Sequence, residues 1–305
     1  MRNTFIETLI KTHSSHKDFF MLSGDAGLGL FEGLQKQYPN KFKNMGIAEQ
    51  NAIGFAAGMG LVGFKVYVYN IIPFVLYRCY EQVRNDICYQ NIPVVLIGVG
   101  SGVTYAPAGM THYSVEDLAL ARTLPNLKII SPIDPIEARL AAEYSFTSDS
   151  PTYIRLAKRG EPNIHEREKF DITKPQLIKD GKEVAIVFHG SIADDVMKAA
   201  EILKSKNIHP KLISIPMLQP LDFGSLCKMT DDVKHVVVVE EHFENSGLGN
   251  ILMQACMATT VAWKLHVMGI PYGFIHAVHS ITGLRKRFGL SAEHIVDNVM
   301  RLEKK

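Results

Sequence analysis

Cysteine is scarce in this chain. Cys79, Cys88, Cys227 and Cys256 are its four, and no two of them form a CxxC pair. That spacing offers neither a disulfide framework nor a zinc site, and a reducing, cytoplasmic setting is the simple expectation. An excess of one charge is missing too. Formal net charge is +2, with acidic and basic residues interspersed, which leaves no electrostatic footprint for nucleic acid. No apolar run approaches the roughly 20 residues that cross a bilayer; "IPVVLIGVG" (92–100) has the length of a buried strand. Glu, Lys and His interrupt the opening "MRNTFIETLIKTHSSHKDFF", so the apolar core of a signal peptide is absent. No repeat or low-complexity tract is found. Membrane-spanning, nucleic-acid-binding and disulfide-stapled classes are all disfavoured.

What remains is a globular composition, 47% hydrophobic and 21% charged, in 305 residues, a length that suggests two domains. Short β-type runs alternate with longer helical ones, the pattern of mostly parallel sheets covered by helices, an α/β fold. In the first half, 18–22, 64–69, 93–99, 127–130 and 152–156 read as strands. Helices are expected near 48–60, 75–89, 115–122 and 135–146. The last follows "SPIDPIEA", where Asp134 can cap and Pro135 suits the first turn. From 160 to 182 the chain turns polar. A second alternating unit follows, with strands at 184–190, 210–215, 235–241 and "GFIHAV" (273–278), and helices near 192–206, 247–264 and 291–303. The expected division is 1–172, a linker at 173–182, and 183–305.

The stretch "NMGIAEQNAIGFAAGMG" (44–60) stands out. Its small residues Ala52, Gly54, Ala56, Ala57, Gly58 and Gly60 suit a helix that another element approaches closely, at a cost in helix propensity. At its start stands Glu49, with no basic residue nearby in sequence. A carboxylate there can complement the helix dipole, worth about 0.3–1 kcal/mol, or it can enter a packed site, where it needs a partner.

"GIAEQNAIGFAAGMGLVG" resembles the glutamate motif of the transketolase family, and the likeness continues. It runs through "RCYEQVRNDICYQNIPVVLIGVGSG", "GMTHYSVEDLALARTLPNLKIISPIDPIEA", "LISIPMLQPLD" and "VVVVEEHFENSGLGN". Nearly the whole chain is covered, and it resembles the C-terminal half of the family: a pyrimidine-binding domain followed by the transketolase C-terminal domain. The resemblance implies thiamine diphosphate as cofactor and transfer of a two-carbon ketol unit between sugar phosphates or related sugars. It implies that Glu49 hydrogen-bonds the pyrimidine ring and so promotes loss of the proton at the cofactor's C2, acid–base work transmitted through the cofactor.

By the same likeness Asp25, in "LSGDAGLG", lies near the cofactor. His112, in "GMTHYSVED", faces the reacting centre and binds substrate oxygens. Phe74 and Tyr77 are the candidate aromatic platform for the pyrimidine, since two usual aromatic positions fall on Ile72 and Val75. Lys158 or Arg159, in "YIRLAKRGEP", receives the sugar phosphate. Glu116 and Asp117 read as cap and interface residues. One position departs from the family: where an acidic residue usually stands four places before the histidine, this chain has Ala108, which puts the usual ketose phosphates in doubt.

"GDAGLG" (24–29) lacks the second glycine of the family's diphosphate motif, and no metal-binding Asn follows. No metal ligand is therefore assigned to this chain. The resemblance implies a split enzyme, in which an N-terminal-type partner subunit carries the diphosphate-binding domain and holds Mg2+ or Ca2+. Two copies of this chain would pair through the small-residue helix, giving a heterotetramer. Alternatives are a subunit resembling deoxyxylulose-phosphate synthase, a 2-oxoacid dehydrogenase β-type subunit, and a non-catalytic regulatory or binding half-enzyme.

Overall fold

The structure is a computed structural model, and it describes residues 1–158 and 160–303. Twelve strands among these residues form two sheets: β1 (Phe19–Ser23), β2 (Phe42–Asn44), β3 (Lys65–Ile71), β4 (Val95–Val99), β5 (Lys128–Ile130), β6 (Thr152–Leu156), β7 (Gln176–Lys179), β8 (Glu183–Phe188), β9 (Lys211–Ser214), β10 (Met217–Gln219), β11 (Val233–Phe243) and β12 (Lys264–Ile270). The first sheet has the order β10-β5-β6-β4-β3-β1-β2 and is parallel except for β10. The second has the order β12-β11-β8-β9-β7, parallel except for β7. The expected α/β architecture of two helix-covered, mostly parallel sheets is observed.

Strands β4 and β6 are buried at every position. A parallel sheet covered on both faces needs such continuous apolar runs rather than alternation. On one face the helix Arg2–His13 inserts Phe5, Ile6 and Leu9, each worth about 1.5–3 kcal/mol when fully buried. It packs against the helix Pro135–Thr147. That helix starts as expected, with Pro135 in the first turn and the Asp134 carboxylate accepting from Glu137 N at 2.8 Å.

Several boundaries differ from expectation. The stretch expected as a linker carries β7, an edge strand antiparallel to β9. With one side open, its Leu177 and Ile178 are too short an apolar signal to read as a strand. The helix expected over 247–264 ends at Ala258, and the last strand of the second sheet is Lys264–Ile270, not 273–278. Gly269 permits this, because a Cβ there would sit 2.7 Å from the Glu244 backbone at the end of β11. The segment expected as one helix near 75–89 is two π-helical turns flanking a short α-turn, Pro73–Tyr77 and Val83–Cys88. Arg78 N accordingly donates to Pro73 O at 3.0 Å and Tyr89 N to Arg84 O at 2.9 Å. Such wide turns recur at functional sites.

The halves interlock. Strand β10 leaves the second half of the chain to pair with β5, and a buried polar cluster crosses the junction. Arg155, on β6, donates to both Asp117 carboxylate oxygens at 2.7 and 3.2 Å and to the Glu241 carbonyl at 3.1 Å. Tyr153 donates to Asp117 at 2.8 Å. Glu241 in turn accepts two bonds from Arg285, at 2.8 and 3.0 Å, and one from the Ser191 hydroxyl. Charges this deeply buried are tolerable only because each is paired and hydrogen-bonded.

Candidate active site

Along the first sheet, the chain leaves β1 for the edge strand β2, then crosses to β3 on the other side of β1. Such a reversal opens a crevice at the carboxyl ends of the strands. The described candidate site residues of the first half lie at that end. Asp25 follows β1, Glu49 follows β2, Phe74 and Tyr77 follow β3, His112 follows β4, and Lys158 follows β6.

Glu49 is the first residue of the helix Glu49–Leu61 and is 8% exposed. Gly46, with φ +66°, makes the tight turn before it, and the Gly46 carbonyl accepts from Asp25 N at 2.9 Å. Asp25 is exposed, its backbone tied to the turn that delivers Glu49. The basic partner that sequence proximity did not supply comes from 29 residues further on: Arg78 Nη1 donates to Glu49 Oε2 at 3.0 Å. Oε1 has no hydrogen-bond partner among the described residues.

From Arg78 the site runs as a chain of contacts. Its guanidinium lies 4.4 Å from the Phe74 ring centre. Phe74 meets the His112 ring edge-to-face at 5.6 Å. His112 lies 5.9 Å from the ring of Tyr105, and the Lys158 ammonium sits 4.3 Å from that ring's centre. The loop bearing His112 is closed at its base, where Gly102 and Ser114 exchange backbone hydrogen bonds at 3.0 and 2.9 Å. Phe243 N anchors it to the second half by donating to Val115 O at 2.9 Å.

Of the two aromatic candidates, Phe74 is brought to His112 and to Arg78, the partner of Glu49, while the Tyr77 hydroxyl donates to Glu116 Oε2 at 3.2 Å. Burial, with Asp117 and Glu116 nearby, pushes the Tyr77 phenol well up. Burial also raises the Glu116 carboxyl, against the hydrogen bonds it accepts from Val115 N and Tyr77. Ile72 and Val75, at the usual aromatic positions, are core residues. Arg159 lies outside the described residues. Ala108 is exposed in the turn before His112 and puts no carboxylate there.

Some residues near these candidates escaped the sequence reading. Arg78 opens the stretch "RCYEQVRNDICYQ" that carries part of the family likeness, yet its place beside Glu49 is revealed only by the fold. Arg2 lies beside Tyr69 and Tyr105, where its charge partly offsets the upward push of burial on both phenols. A signal for Arg2 did exist: it is a cation in a first helical turn without acidic residues, where the helix dipole favours an anion.

The helix Glu49–Leu61 divides its small residues between two faces. Ala52, Ala56 and Ala57 are buried in the chain's own core, and a Cβ at Gly60 would sit 2.3 Å from Ile92. Gly54 and Gly58 open outward, with nothing within 4 Å of an added Cβ, beside the exposed Phe55, Leu61 and Val62.

Among the described residues, no three His, Cys, Asp or Glu side chains converge as a metal site, and no helix is long and apolar enough to cross a membrane. Residues 1–162 match the family described as "Transketolase, pyrimidine binding domain", and residues 174–295 match "Transketolase, C-terminal domain". The "Apulose-4-phosphate transketolase" of Actinobacillus succinogenes has a subunit that is 33% identical over 88% of this chain and 86% of its own length. A "1-deoxy-D-xylulose-5-phosphate synthase" of Caldanaerobacter subterraneus is 31% identical over 90% of this chain, which spans 44% of that protein. A solved structure described as "Split gene transketolase, inactive beta4 tetramer" superimposes with a TM-score of 0.88 at 27% identity, covering 99% of this chain and 97% of that one.

Proposed function

This chain belongs to the transketolase family, and on that premise we propose that it is the C-terminal-type subunit of a split, thiamine-diphosphate-dependent ketol transferase. The observation carrying this reading is the run of contacts from Glu49 through Arg78, Phe74 and His112 and across the Tyr105 ring to Lys158. It lines up an acid–base carboxylate, an aromatic surface, a proton-handling imidazole and a cation, in the order that cofactor ring, reacting carbonyl and sugar phosphate would require.

Thiamine diphosphate, when bound, supplies the carbanion-stabilising centre of the reaction. The residues present fit it: Glu49 is nearly buried, has one oxygen held by Arg78 and leaves the other to accept from the pyrimidine ring. Phe74 offers the platform, in preference to Tyr77, and Asp25 flanks the turn before Glu49. His112 hydrogen-bonds substrate oxygens, and Lys158 with Arg2 receives the anionic end. The diphosphate-binding domain and its metal ion come from the partner. The division into 1–172 and 183–305 places all of these first-half groups in the pyrimidine-binding domain.

Without a carboxylate at Ala108, a substrate hydroxyl there goes unrecognised, so a branched or otherwise modified sugar phosphate is favoured. A relative named for apulose-4-phosphate supports that direction. The outward face of Gly54, Phe55, Gly58, Leu61 and Val62 is the surface for self-association into a heterotetramer with two partner subunits.

The test is reconstitution. The isolated chain should transfer no ketol units, and adding the N-terminal-type subunit should restore transfer; full activity of the chain alone would overturn the split-enzyme reading. Likeness to deoxyxylulose-phosphate synthase supports a second reading, which pyruvate consumption with release of carbon dioxide by the reconstituted complex would establish instead.

A further inference from the structure

Tyr105 belongs to none of the motifs that assign the site, yet its ring neighbours both substrate-facing groups. The Lys158 ammonium is 4.3 Å from the ring centre, and the His112 ring is 5.9 Å from it, centre to centre. The fold makes a place for it. At the end of β4, Gly100 has φ +98°, and a Cβ there would come within 2.2 Å of the Tyr105 ring. The turn that carries the ring is pinned as well: Ala108 N donates to Tyr105 O at 2.8 Å, and the buried Tyr113 hydroxyl holds the Ala106 carbonyl at 2.6 Å. Ring and cation are therefore held as a pair.

Lys158 has no carboxylate partner among the described residues; its contact is the ring itself. A cation over an aromatic face is attracted by the ring quadrupole without being neutralised. A carboxylate in that position would instead compete with an incoming anion. The aromatic ring thus orders the flexible lysine stem while leaving its charge available.

We propose that Tyr105 is a positioning residue that fixes the Lys158 ammonium beside His112 and so sets the affinity for the anionic group of the substrate. The inference deepens the functional reading above and rests on it for the identity of the substrate. It also gives Ala108 a counterpart: where no carboxylate reads hydroxyls, the ordered cation carries more of the recognition.

The experiment begins with the isolated chain. Lys158 is acetylated by a trace of acetic anhydride, its labelling followed by mass spectrometry while inorganic phosphate is titrated in. Phosphate should protect Lys158 in the wild type and equally in Tyr105→Phe, which keeps the ring. In Tyr105→Leu, which keeps the bulk, and in Tyr105→Ala, half-protection should need about three- to tenfold more phosphate. The same variants in the reconstituted complex should raise KM for a phosphorylated substrate by a similar factor with kcat little changed. Equal protection in Tyr105→Leu and wild type would reduce the ring to filler. Weakening in Tyr105→Phe would move the effect to the hydroxyl, and absence of protection in the wild type would remove the anion site; each overturns the proposal. A wild-type complex with no ketol transfer would defeat the functional reading while leaving the labelling result intact.

Discussion

Replacing Glu49 by Ala separates a catalytic carboxylate from a structural one, because the structure sets a low ceiling on its structural worth. Its visible partner, Arg78, is 49% exposed, and an ion pair with one solvated member contributes about 0–1 kcal/mol. Its place at the first helical position adds about 0.3–1 kcal/mol through the dipole. Arg78 is not stranded by the change, since water reaches it and the Phe74 ring remains beneath it. The folded chain should therefore lose about 1–2 kcal/mol, read as a shift of a few degrees in Tm, and assembly with the partner should survive. Turnover of the reconstituted complex should fall about 10²–10⁴-fold, the range of acid–base contributions. Glu49→Gln should fold as the wild type does and share the catalytic defect. A variant retaining more than a tenth of wild-type turnover would refute the assignment, and so would a Tm loss large enough to explain the inactivity by unfolding.

Asp117→Ala should behave in the opposite way, leaving Arg155 buried without its carboxylate; a loss of about 3–5 kcal/mol in urea unfolding is expected, and a loss under about 1 kcal/mol would refute the role of the cluster at the junction. Lys65 makes stability rise with alkaline pH. Burial, with Lys128 adding to it, lowers its ammonium to about 8, against about 10.4 in an unfolded chain. Between those values the unfolded chain binds the extra proton, so the folded state gains as pH rises. Wild type should gain about 1–2 kcal/mol on Lys65→Met between about pH 8 and pH 10, and parallel pH profiles would contradict the shift.

Local pattern carried the architecture because each cue acts over a few residues. Continuous apolar runs read as doubly covered strands, Asp134 and Pro135 announce a helix start, and the turn at Gly46 announces Glu49. Edge strands β7 and β10 were not legible, since one neighbour and one buried side leave only two or three apolar residues as a signal. The strand at 264–270 was obscured by running on from a helical pattern, and the close approach at Gly269 that admits it is a property of packing.

The same division holds at the site. Sequence, through its likeness to the family, brought forward Glu49, His112 and a basic residue near 158, and each of the described ones follows a parallel strand. Which side chains meet there was decided only by tertiary structure. Arg78 reaches Glu49, Tyr77 turns to Glu116 while Phe74 takes the place beside His112, and Tyr105 settles under Lys158. These pairings depend on helix rotation, π-turn geometry and the space left at Gly100, quantities that arise when distant segments pack and that no local pattern of residues encodes.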